Sequence, residues 1–127
     1  MNNIQIPSDE EFEEMINDGI SRLPELYQKN LSNIGFVIAD EPTAAQRDEL
    51  ELRCNETLFG LYQGIPLTRR GSGYNLVLPD KITIFKLPIV AASENIKEVA
   101  EHVRHTVWHE VAHYYGLNHD KIHKLEK

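Results

Sequence analysis

A chain of 127 residues with 41% hydrophobic content supplies one packed core and is too apolar for a disordered segment. Its net charge of −7 argues against nucleic-acid partners, whose binding rests on lysine and arginine neutralising phosphates. No apolar run reaches the roughly 18 residues of a membrane helix, and the opening MNNIQIPSDEEFEE is acidic where a secretory signal is basic and then apolar. The expectation is a single soluble, cytoplasmic domain over residues 1–127, with no membrane contact. The lone cysteine, Cys54, rules out an internal disulfide and, with no activating context around it, reads as a structural thiol. Charge is uneven, with 13 acids and 4 bases in residues 1–60 against 7 and 9 in residues 61–127. That is the pattern of a solvated acidic surface on the early helices.

Ser8 and Glu11 have the spacing of a capping box, and Phe12, Met15, Ile16 and Ile20 then recur at helical intervals. A first helix is predicted from about residue 9, ending before Leu23-Pro24, with a short second helix over residues 25–29. NIGFVIAD (33–40) reads as a buried strand, and TAAQRDELELR (43–53) as a helix capped by Thr43. LFGLY (58–62) is a short strand, and QGIPLTRRGSGYN (63–75) gathers Gly, Pro, Arg and Ser into one long loop. KITIFK (81–86) is rich in β-formers and short enough for a sheet edge.

From Ser93 the chain turns helical, with Ile96, Ala100, Val103, Val107, Val111 and Tyr114 on one arc. That arc faces the core. His102, His105, His109 and His113 fall on the other side of the wheel, where they line solvent or a cleft. KIHKLE (121–126) reads as a last short helix with Asp120 at its cap, and His123 as an exposed residue of the tail.

HEVAHYYGLNHD (109–120) carries the chemistry. His109 and His113 are one turn apart, so their Cβ atoms lie about 6 Å from each other and both imidazoles can converge on one ion. Glu110 stands about 100° round the wheel from His109, beside the pair, in the place of the general base of HExxH peptidases. A catalytic zinc needs three protein ligands and one open position, and His119 is the natural third. It cannot reach the ion on a continuous helix. Gly116 therefore has to stop the helix in a left-handed conformation so that the chain can swing His119 back. His102 and His105, further along the stripe, read as supporting or solvated groups.

With GLYQGIPLTRRGSGYNLVLPDKITIFKLPI (60–89) preceding the HExxH helix, the chain resembles the small bacterial zincin-like metallopeptidases. These share a glycine-rich loop, an LPD-I-T-I-F type strand and an HExxHxxGxx motif. The resemblance implies an α+β domain: a small mixed sheet packed on an active-site helix, with additional N-terminal helices. It also implies Zn2+ on His109 and His113, with Glu110 as base. His119 stands where family members often have aspartate, and so is similar to the third ligand of the larger metzincins. The implied function is hydrolysis of a peptide or protein substrate. Glu110 passes a proton from the attacking water to the leaving amine, and Arg69, Arg70 or Tyr74 are candidates to steady the oxyanion. The few residues after His119 are too short for the lower subdomain of larger zincins, which implies a shallow cleft, with KITIFK as the edge that would pair with a peptide. A non-catalytic zinc-binding adaptor is the alternative, and a metal-free helical domain the third reading. Substrate identity and oligomeric state are not encoded in any motif of the chain.

Overall fold

A computed structural model describes residues 5–29, 31–53, 59–64, 80–117 and 121–122. Helix α1 (Asp9–Ser21) opens on the predicted capping box: the Glu11 N–H donates to Ser8 Oγ at 3.1 Å, and the Ser8 N–H donates to Glu11 Oε1 at 2.9 Å. Two otherwise orphaned donors are satisfied, and the acids of the first turn complement the helix dipole. Phe12, Ile16 and Gly19 form its buried side. The turn at Leu23-Pro24 leads into α2 (Glu25–Gln28) and a 3-10 turn over Leu31–Asn33.

Strand β1 (Ile34–Ala39) is followed by α3 (Ala44–Arg53), whose start is also a reciprocal box between Thr43 and Gln46. Strands β2 (Gly60–Gln63) and β3 (Asp80–Phe85) complete a mixed sheet of order β1-β3-β2. β1 runs parallel to β3, from Ile34↔Asp80 to Ala39↔Phe85, and β2 antiparallel to it, from Gly60↔Ile84 to Gln63↔Lys81. Helices α4 (Lys86–Ala91) and α5 (Ile96–Tyr114) follow. With its helices and small mixed sheet, the architecture is the expected α+β type.

Two expectations for the strands are corrected. KITIFK is not a sheet edge, because β3 has β1 on one side and β2 on the other; every residue of the strand except Lys81 is buried. NIGFVIAD is not a buried strand, because β1 is itself the edge; only Ile34 is buried in it, and Val37 is 41% exposed. Helix α4 was not foreseen. KLPIVA looks like the continuation of a strand, yet Pro88 sits in the first helical turn, where its missing N–H breaks no helical bond.

The core lies between the sheet and the helix pair α1 and α5. Ile82, Ile84, Tyr62 and Ile34 from the sheet meet Phe12 and Ile16 of α1 and Val99, Val103, Val107 and Val111 of α5. Leu61 and Phe85 form a smaller cluster with Ala39. Close approach of the two helices depends on Gly19, where a Cβ would stand 3.3 Å from the Arg104 Cα and 3.4 Å from the Val107 Cβ. No helix among the described residues is long and apolar enough to cross a membrane.

Lys86 ties three elements together, its ammonium pairing with Asp9 at the start of α1 and, at 3.3 Å, with Asp40 after β1. The Asp9 hydrogen bond, supported by Asp40, raises the lysine pKa above its ordinary 10.5 against the opposing cost of desolvation. A folded-state pKa above the unfolded value adds stability that is complete below the unfolded pKa and disappears as pH climbs through the folded one. Both carboxylates are exposed, so Lys86→Met should lower stability by only about 1 kcal/mol at neutral pH. Urea unfolding at rising pH should show the gap between wild type and variant closing in the alkaline range alone.

Candidate active site

Helix α5 is built by Asn95, whose side-chain oxygen accepts the Glu98 N–H at 2.9 Å, and by an apolar stripe that locks one side against the sheet. The stripe differs in phase from the expected one: Ile96 is 49% exposed and Val99 takes the inner position. The cause is β2, which packs beside Thr106 and Glu110 and draws that flank of the helix inward. Glu110 consequently lies in the buried arc, with 6% of its surface exposed.

His109, Glu110 and His113 come together. Taking one candidate ligand atom from each, all lie within 4.8 Å of one another. The two imidazoles are half-buried, their ring centroids 4.8 Å apart and their planes inclined at 69°. Glu110 Oε1 accepts the backbone N–H of Tyr62 at 2.7 Å. The sheet register explains this bond. Phe85 donates its N–H to the Phe59 carbonyl, so in the antiparallel alternation the amides of residues 60 and 62 point away from β3. The amide at Tyr62 therefore faces α5, and the carboxylate meets it there.

Two further residues set this geometry, and the sequence reading did not name them. A Cβ on Gly60 would lie 2.5 Å from Thr106 Cγ2, 3.1 Å from the Thr83 carbonyl oxygen and 3.5 Å from Glu110 Cγ, so only glycine lets β2 come this close. Tyr62 is fixed at its other end, donating its hydroxyl to Oδ1 of the buried Asp80 at 2.9 Å. The glycine inside LFGLY was the available signal, since an isolated glycine in a strand marks close backbone approach.

The end of α5 follows the expected course. Gly116 has φ 81°, its N–H donates to the His113 carbonyl at 2.9 Å, and the Leu117 N–H donates to the Ala112 carbonyl at 3.0 Å. This pair of bonds is a Schellman motif, which requires the left-handed residue that glycine supplies at least cost. His119 and Asp120 lie outside the described residues, as do Cys54, Arg69, Arg70, Tyr74 and His123. Lys121 and the buried Ile122, from the predicted last helix, are helical.

The other two histidines of the stripe are not gathered with the pair. Ser93 donates its hydroxyl hydrogen to the Ile89 carbonyl at 2.7 Å, so its contact of 2.8 Å with His102 Nδ1 has the imidazole N–H as donor. His102 thus fastens α5 to the end of α4, its ring tilted against Phe59 at 5.2 Å. His105 is exposed.

Two imidazoles one turn apart with a carboxylate beside them are a donor set that suits a divalent cation, zinc in particular. An HExxH helix laid against a small mixed sheet is the arrangement of the zincin-like metallopeptidases. A family model of that description, zincin-like metallopeptidase, matches residues 31–127, and the chain belongs to this family. Helices α1 and α2 lie ahead of the matched segment. No curated protein sequence matches the chain.

Proposed function

We propose that the protein is a zinc-dependent peptidase, one domain over residues 1–127, in which His109, His113 and His119 hold the metal and Glu110 is the general base. The observation that carries this reading is the buried Glu110 carboxylate beside two imidazoles, oriented by the Tyr62 amide. Zinc, when bound, polarises the scissile carbonyl and makes water acidic enough to deprotonate near neutrality. Glu110 takes that proton and later delivers it to the leaving amine. The bond from Tyr62 holds Oε1 and fixes the carboxylate plane.

The peptide does not pair with KITIFK, since both sides of that strand are already paired. The same Glu110–Tyr62 bond supports a second reading, a non-catalytic zinc-binding adaptor, because it gives the glutamate a structural use. Cleavage of a peptide library by the zinc-loaded protein distinguishes the two.

Purified protein should contain one zinc per chain, and chelation should lower its melting temperature without unfolding it. A ligand that binds only the folded state stabilises by RT ln(1 + [L]/Kd), while the packing of α1, α5 and the sheet needs no ion. An absence of zinc by elemental analysis, with melting unchanged by chelator, removes the metal reading. With His119 as the third ligand, His119→Ala should cost far more zinc affinity than Asp120→Ala, whose loss should stay within about 10- to 100-fold. The reverse ranking assigns the third position to Asp120.

A further inference from the structure

Between the end of α1, α2 and the flank of α5 there is an open cavity of about 420 Å³, a size within the range of small-ligand sites. Its walls are apolar: Leu23, Pro24, Tyr27 and Trp108 line it. The charged side chains among its described lining residues, in a chain of net charge −7, are the arginines Arg22 and Arg104, with the imidazole of His105 beside them. No acid is among the described residues that line it.

The two arginines of the cavity differ in what neutralises them. The Arg22 guanidinium is neutralised by Asp18, Nε to Oδ2 at 2.9 Å. Arg104 has no such partner: among the described residues no carboxylate lies within ion-pair distance of it. One uncompensated guanidinium beside apolar walls favours a monoanion with an apolar body over a strongly hydrated dianion. A guanidinium fork matches the two oxygens of a carboxylate.

The cavity is built in advance of any ligand. The Trp108 ring meets Tyr27 edge-on at 5.2 Å and 68°, and Tyr27 meets Tyr115 at 5.2 Å and 79°. Tyr115 in turn donates its hydroxyl to the Lys29 carbonyl. Gly19 keeps the backbone of α1 against that of Arg104. Walls held this way cost little ordering on binding.

We infer that this cavity is a binding site for an organic carboxylate joined to an apolar group, with Arg104 as the carboxylate partner and Tyr27 and Trp108 as the apolar seat. Either the C-terminus of a peptide ending in an apolar residue or a free apolar acid supplies that chemistry. The site stands whether or not the protein is a peptidase.

Trp108 is the only tryptophan of the chain, so intrinsic fluorescence reads this cavity directly. The full-length, zinc-loaded protein is titrated with N-acetyl-L-phenylalanine, with its C-terminal amide and with 3-phenylpropanoate. Saturable changes are expected for both carboxylates, with binding of the amide roughly tenfold or more weaker. Tighter binding of acetylphenylalanine than of phenylpropanoate identifies a peptide terminus; equal or reversed affinities identify a free acid. Arg104→Met, which keeps the stem of the side chain, should lose the carboxylate preference, and Arg104→Lys should regain part of it, with circular dichroism confirming that both fold. Removing zinc with a chelator should leave the affinity unchanged, separating this site from the metal. Equal binding of amide and carboxylate, an Arg104→Met variant that binds as wild type, or affinity lost on chelation each overturns the assignment.

Discussion

Glu110→Gln should retain zinc and lower peptide hydrolysis by roughly 10² to 10⁴, the contribution of a positioned general base. Glutamine keeps an oxygen that can accept the Tyr62 N–H, so the strand and helix stay together, but its amide cannot take a proton from water. Glu110→Ala is a different experiment. It leaves the Tyr62 N–H without its acceptor and should destabilise the fold by about 1–3 kcal/mol, the desolvation cost of an unsatisfied buried group. Zinc content, rate and urea unfolding measured on the same preparations separate the roles. A Glu110→Gln protein that holds zinc and cleaves at the wild-type rate removes the general base. A wild type that cleaves nothing, with Glu110→Ala strongly destabilised, supports the adaptor reading.

What the sequence revealed about this site was what its local spacing determines. The helix carrying His109 and His113, the box at Ser8 and the stop at Gly116 each depend on residues within a turn or two, and all three are present. The partner of Glu110 was not legible, because the Tyr62 amide lies 48 residues away in the chain and is aimed only by the register of β2 on β3. The same cause misplaced KITIFK. A run of β-formers does not specify how many neighbours it will have, and here the parallel partner β1 begins far upstream of β3. Helix α4 was hidden for a different reason: KLPIVA has the composition of a strand, and its proline disguises a first turn where proline is tolerated. His102 was read as a supporting or solvated group; the partner that holds it, Ser93, nine residues back, was not legible.

The close approach of β2 to α5 yields the second large effect. Gly60→Ala should cost about 1–3 kcal/mol of stability, the usual range for overpacking, because the new methyl would stand 2.5 Å from Thr106 Cγ2. The strand has to move away from α5 to relieve that clash, and the Tyr62 amide moves with it, so hydrolysis should fall along with stability. Thr106→Ser removes the offending methyl while its hydroxyl still donates to the His102 carbonyl, a bond of 2.7 Å in the wild type. Added to Gly60→Ala, it should restore part of both losses. Recovery stays incomplete because the Thr83 carbonyl oxygen, 3.1 Å from the added carbon, is backbone of the central strand and cannot turn aside. Gly35→Ala on the edge strand β1 is the matched control: among the described residues its added carbon meets only the Asp80 carbonyl oxygen, at 4.0 Å, so its effect should remain within about 0.5 kcal/mol. A double-mutant cycle over Gly60 and Thr106 should show a coupling of roughly 0.5–3 kcal/mol in favour of the pair. Gly60→Ala as stable as Gly35→Ala, or additive effects at Gly60 and Thr106, would show that the strand is not held against the helix by this contact and that Glu110 is positioned by something else.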